Sequence, residues 1–189
     1  MAQIDNNLKQ QLAKPQTWFC KYFPKRIRNV GKKEIADRQM VYDFKDGRSF
    51  EAVAQMTAAS MKEQYGEKCS SIVFIPVPAS TNEKNELRYK AFCGRVCELT
   101  GAINGFDHIK VIGGRLAIHE NRKLEKEIRK VNIITFDEKW FCDKTIVTFD
   151  DVITRGITWA TYSDQLEQLG AHVIGGIFLA KTHYKVNEQ

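Results

Sequence analysis

Three stretches of this chain are apolar almost throughout: "SIVFIPVP" at 71–78, "TIVTFD" at 145–150 and "HVIGGIFLAKT" at 172–182. A strand that buries one face alternates apolar and polar residues. A strand that buries both does not, and burial of both faces is the mark of a parallel sheet covered by helices. The intervening segments carry helical spacing. From Phe50 to Tyr65, Val53, Met56, Ala59 and Met61 recur among polar residues, and Gly66 ends the run. Ser80-Thr81-Asn82-Glu83 has the form of a capping box opening a helix to about Leu99. Ile157 to Leu169 places Trp159, Tyr162, Leu166 and Leu169 on one face, with Gly170 as the stop. The pattern predicts an α/β fold, a twisted and mostly parallel sheet flanked by helices.

The remaining segments are read as follows. Residues 1–25 are expected to be a polar, helical lead. "QMVYDF" at 39–44 is expected to be a short strand closed by a "KDG" turn, and "HIKVI" at 108–112 another strand. Residues 113–130 form a polar segment with six basic and three acidic side chains.

Composition excludes several classes. Hydrophobic residues make up 43% of the chain and charged residues 28%, as in ordinary globular proteins. No apolar run approaches the roughly 18 residues of a membrane span. "MAQIDNNLKQQLAKPQ" has no apolar signal region, so a cytoplasmic location is expected. The five cysteines include no CxxC pair, and Cys93 and Cys97, four apart on one helix face, suit reduced core positions better than a metal site. The net charge of +6 arises at one end. Residues 1–48 hold 11 Lys/Arg against 5 Asp/Glu, whereas residues 49–189 hold 18 of each. The expected division is a basic extension over 1–38 and a domain over 39–189. Its richest part, "KYFPKRIRNVGKK", suits nucleic acid or phosphate-rich ligands, or is simply solvated surface.

The most informative stretch is "TIVTFDDVITRGITWATYSDQLEQLG" at 145–170. A buried strand ends in Asp150 and Asp151, and a short loop with Thr154, Gly156 and Thr158 leads straight into a helix. Ligands of open α/β sheets sit beyond the carboxyl ends of the strands. Backbone N–H groups at the helix start favour an anion. Gly156 lets the chain approach closely with positive φ. Carboxylates, in contrast, accept from sugar hydroxyls or hold Mg²⁺. A ribose 5-phosphate satisfies both halves. Two other readings stand beside this one. A Walker B strand also ends in acids, but the chain has no GxxxxGK[ST] loop. An ordinary strand-to-helix turn with exposed acids is the other.

"IVTF-DD-VI-TRGIT" resembles the phosphoribosyl pyrophosphate (PRPP) signature of type I phosphoribosyltransferases: four apolar residues, two acids, two apolar residues, then Thr-x-Gly-x-Thr. Arg155 stands where a small residue is usual. The layout over roughly residues 40–182 is similar to the competence-protein ComF branch, with "VPVP" upstream and "HENRKLEKEIRKVNIITF" before the paired acids. The cysteine-rich zinc module often found in that branch has no counterpart here, and "LRYKAF" at 87–92 replaces its Arg-Gly-Phe-Asn-Gln run.

The resemblance implies a type I phosphoribosyltransferase fold with a small hood. It further implies transfer of ribose 5-phosphate from PRPP to a nitrogen nucleophile, with pyrophosphate released and Mg²⁺ as cofactor. Asp150 and Asp151 are then expected to bind the ribose diol and the metal. Val152, Ile153, Thr154, Arg155, Gly156, Ile157 and Thr158 are expected around the 5′-phosphate. Pro78, Ala79, Ser80 and Thr81 offer a tight loop suited to pyrophosphate, with Arg88 beside it; a plain strand end before a capped helix is the alternative. Arg115, Arg122 and Lys123, with Lys126, would belong to a flexible loop closing over the reaction centre, or to a solvated helix; His119 there is expected to be a surface residue. A homodimer is expected by analogy. The alternative functions are a non-catalytic PRPP or nucleotide sensor and a nucleic-acid-associated competence-type protein.

Overall fold

Burial on both faces organises the chain. The computed structural model describes residues 6–112 and 133–185, so the expected flexible loop with Arg115, Arg122 and Lys123 lies outside the described residues. In order, the elements are α1 (Asn6–Leu12), β1 (Gln16–Tyr22), α2 (Lys32–Lys45), α3 (Phe50–Tyr65), β2 (Ile72–Pro76), α4 (Asn82–Asn85), a π-helical turn (Glu86–Lys90) and α5 (Ala91–Thr100). They continue with β3 (Ile103–Asn104), β4 (Ile109–Ile112), β5 (Ile133–Phe136), α6 (Glu138–Phe141), β6 (Thr145–Ile153), α7 (Ile157–Gln168) and β7 (His172–Thr182). Five strands form one sheet in the order β1-β7-β6-β2-β3, and each neighbouring pair is parallel. β4 and β5 form a separate antiparallel pair. Among the described residues, no helix is long and apolar enough to cross a membrane.

Alternate residues of each central strand feed two cores. Ile72, Phe74, Val147, Phe149, Ile177 and Leu179 pack under α2, α3 and α5. Val73, Ile75, Ile146, Val173 and Phe178 pack under α7, with Leu8 and Leu12 of α1 alongside. In the first core, the rings of Phe92 and Phe149 lie 4.5 Å apart, and Phe44 meets both edge-on. Each such buried ring contributes about 2–3 kcal/mol through area.

Three local expectations are corrected. "QMVYDF" is helical, inside α2. Its β-branched and aromatic composition suggested a strand, but the fully buried pair Val41 and Phe44 sits three apart, the spacing of a helix face. Residues 16–22 are not helical. Pro15 ends α1, and the β-formers Thr17, Trp18, Phe19 and Tyr22 add an edge strand beside β7. The boundary drawn after residue 38 therefore falls inside α2, and β1 shares a sheet with β6 and β7. The helix after β2 is capped by Thr81, whose Oγ1 accepts from Lys84 N, one residue later than the capping box suggested.

Gly176 shows how tightly α7 sits on the sheet. A Cβ there would lie 2.7 Å from Trp159 Nε1. That nitrogen donates to Thr148 Oγ1 at 2.7 Å, and Thr148 passes its own proton to the Gly175 carbonyl at 3.3 Å. Gly176→Ala displaces the indole and is expected to lower unfolding free energy by about 1–3 kcal/mol in a urea titration. A loss under about 0.5 kcal/mol, the scatter of a neutral substitution, would show that α7 can lift without cost.

Candidate functional site

β6 carries the site because it continues past its last pairing with β2 while still paired with β7, and that extension begins with the two acids. Its neighbour β2 stays paired up to Pro76–Phe149, and Val77 N donates to the Phe149 carbonyl at 2.7 Å. The loop 77–81 therefore leaves the sheet beside the acids. Side chains on a strand alternate in direction, and the two acids part accordingly. Asp150, which pairs with Phe178 of the α7-side core, lines an open cleft of about 290 Å³ with the residues from Val152 to Trp159. Asp151 points to the opposite side, toward α2 and the π-helical turn, and is 5% exposed.

The cleft is built as an anion cradle. Gly156 is the N-cap of α7 in the left-handed region, at φ 76°, and a Cβ there would meet Leu12 Cδ2 at 2.8 Å. The positive φ favours glycine, whereas the Leu12 contact could be relieved by a shift of that side chain. Among the described residues, no side chain caps this helix start, and its first turn contains no acid, so its leading N–H groups are left free to meet a ligand in the cleft. Thr154, Arg155, Ile157 and Thr158 are exposed around it, Val152 is half-buried and Ile153 is buried. Thr154 Oγ1 shares a hydrogen bond of 2.8 Å with Thr182 Oγ1 at the end of β7.

Asp151 is held from two sides. Arg88 Nη1 donates to its Oδ2 at 2.5 Å, and Lys45 Nζ lies 3.3 Å from Oδ1. Arg88 also donates through Nε to the Lys45 carbonyl at 3.3 Å, tying the π-helical turn to the end of α2. A π turn inserts a residue into a helix and is frequent at functional sites; here it bears Arg88. Asp150 thus lines the cleft, and Asp151 contacts two cations, Arg88 and Lys45.

Burial, then the charge of Asp151, holds the Asp150 carboxyl well above the usual carboxylate range. The Asp151 N–H, donating to Asp150 Oδ1 at 2.8 Å, and the charges of Lys45 and Arg88 oppose this without reversing it. The loop expected to hold pyrophosphate is partly spent. Ala79 is buried and its N–H donates to Asn85 Oδ1 at 3.0 Å; Pro78 and Thr81 are half-buried and Ser80 is exposed. Among the described residues, no cluster of three or more His, Cys, Asp or Glu side chains is arranged to hold a metal. Cys20, Cys69, Cys93 and Cys97 are buried free thiols. Lys45, Asn85 and Thr182 had no signal in the sequence, since each acts through a contact between distant segments.

The chain matches no protein-family model and no curated protein, so the geometry of the cleft is what bears on function.

Two expectations follow from the paired acids. The raised Asp150 pKa means that the native state keeps this proton where the unfolded chain, with a pKa near 4, has lost it. Native stability from this group is therefore complete at low pH and falls as pH rises through and above that value. Asp150→Asn is expected to raise the melting temperature, with a gap to wild type that widens from pH 4 to pH 8; a constant or narrowing gap refutes the assignment. Arg88→Met leaves the buried Asp151 carboxylate with Lys45 alone and is expected to cost up to about 3–5 kcal/mol. Arg88→Met combined with Asp151→Leu should recover most of that loss in chemical denaturation, and no recovery would show that the pair does not act as a unit.

Proposed function

We propose that the chain is a type I phosphoribosyltransferase-like protein that binds PRPP or a ribose 5-phosphate nucleotide in this cleft. The observation that carries the reading is the meeting of an uncapped α7 start with the Asp150 carboxyl at the carboxyl end of β6. The phosphate is taken by the leading N–H groups of α7 and by the hydroxyls of Thr154 and Thr158. The ribose hydroxyls donate to Asp150. A carboxyl that keeps its proton does not repel the incoming phosphate, which reconciles an acid with an anion site.

In the reaction, the bond from the anomeric carbon to pyrophosphate breaks and a bond to a nitrogen nucleophile forms. Positive charge develops on the ribose ring, and the Asp150 carboxyl, having released its proton to solvent once the ribose hydroxyls donate to it, stabilises that charge. Asp151 does not touch the sugar; it positions Arg88 and Lys45, which face the departing pyrophosphate together with loop 77–81. Among the described residues of the cleft, Asp150 is the carboxylate that would hold Mg²⁺, which would supply charge neutralisation there.

One observation favours a sensor that binds without turnover: the Ala79 N–H is already committed to Asn85, leaving the pyrophosphate loop a donor short. The two readings separate in one experiment. A thermal-shift titration with PRPP and Mg²⁺ is expected to raise the melting temperature of wild type, and that of Asp150→Asn by much less. Pyrophosphate release across a panel of nucleobases then assigns an enzyme, and binding without release assigns a sensor. No shift with PRPP, ribose 5-phosphate or any nucleotide removes both.

A further inference from the structure

A second surface lies across the same end of the sheet, along β1 and the end of β7. The two strands are parallel and in register, with Lys21 beside Lys181 and Tyr22 beside Thr182. Trp18 is 40% exposed, and Lys181 Nζ sits 3.9 Å from its ring centre. Tyr184 is 52% exposed, with the Arg26 guanidinium 5.5 Å from its ring centre. Each of these two aromatic faces thus has a cation over it, and Lys21 lies beside Lys181 on the neighbouring strand. Among the described residues, Lys21, Arg26 and Lys181 make no ion pair with a carboxylate, whereas nearby Lys33 is already paired with Asp37 at 2.6 Å. Glu34 and Asp37 of α2 are the acids on this side, lining the hollow between α2 and Trp18. The local field is positive nonetheless: burial, then the charges of Lys21 and Lys181, push the His183 pKa down.

We infer that this edge binds single-stranded nucleic acid, with unpaired bases stacking on Trp18 and Tyr184 and the backbone phosphates drawn to Lys21, Lys181 and Arg26. A ring with a cation beside it offers a base a stacking face and the adjoining phosphate a charge. An acidic peptide would use the cations and leave the rings idle. A duplex hides its base faces, so the rings gain nothing from it. The cations now lie over the rings; an arriving base takes the ring face while the cation moves to a phosphate, so neither contact is lost. The surface runs into the β6 cleft through the Thr154–Thr182 hydrogen bond, so a strand's terminal 5′-phosphate has a seat within reach.

The test uses a fluorescein-labelled oligothymidylate of roughly 20 nucleotides, longer than the ~4–16 covered by one such groove, followed by anisotropy. Wild type is expected to bind it more tightly than a duplex of equal length. With three phosphate contacts, affinity should fall roughly twentyfold between ~50 and ~200 mM salt. Trp18→Ala with Tyr184→Ala, which leaves the charge unchanged, should weaken binding of the single strand by about tenfold or more and of the duplex hardly at all. Lys21→Gln with Lys181→Gln should flatten the salt dependence. Both double variants should keep the wild-type circular dichroism spectrum and a cooperative melting transition, which shows that they fold, and Asp150→Asn should keep the oligonucleotide affinity. The inference is overturned if the oligonucleotide fails to bind at ~50 mM salt, if the ring variants bind it like wild type, if the duplex binds as well, or if anionic phospholipid vesicles are bound in its place.

Discussion

The constraint that governs this molecule is that β6 must be buried on both faces and still present acids at its end. Every residue from Ile146 to Phe149 is used up by one core or the other. The first position free of that duty is Asp150, and alternation then assigns its neighbour to the opposite layer. Adjacent carboxylates, which in one layer would share a proton, are thereby given different surroundings. One lies against the start of α7 in a half-buried cleft. The other is sealed between α2 and the π-helical turn and neutralised by Arg88 and Lys45. A chemically identical pair thus acquires two different environments through strand geometry.

That division reaches outward. Arg88 sits where it does because the helix after β2 admits a π turn, and that helix is placed by Thr81 as its cap. Lys45 arrives because Val41 and Phe44 anchor α2 in the first core. The cleft on the other side depends on Gly156 and on the Trp159–Thr148 hydrogen bond that seats α7. Breaking an anchor in either layer therefore disturbs the charges at the sheet's end without touching them.

The sequence made the central strands legible because a long apolar run has few alternatives, and β7 spans the residues expected of it. The start of α7 was legible for a similar reason: glycine after paired acids admits few backbones. α2 and β1 were not, since "QMVYDF" and "QTWFCKY" are short and composition alone cannot separate a strand from a buried helix turn. Which acid meets the cleft was also hidden. That needs the strand's phase relative to both cores, and the phase depends on packing partners distant in the chain. Lys45 and Asn85 were invisible for the same cause.

The sheet joins early and late parts of the polypeptide directly: Gln16 lies beside Gly176. During ribosomal synthesis, β1 emerges long before its partner exists. Its backbone donors and acceptors must wait in water, or on a chaperone, until β7 has been made. Contacts of such long sequence separation slow folding, so this half of the sheet is expected to be the last to consolidate. The cleft's Thr154–Thr182 closure would then form only at that final stage, so that a ribosome-bound fragment ending before β7 would carry the acids without a finished site.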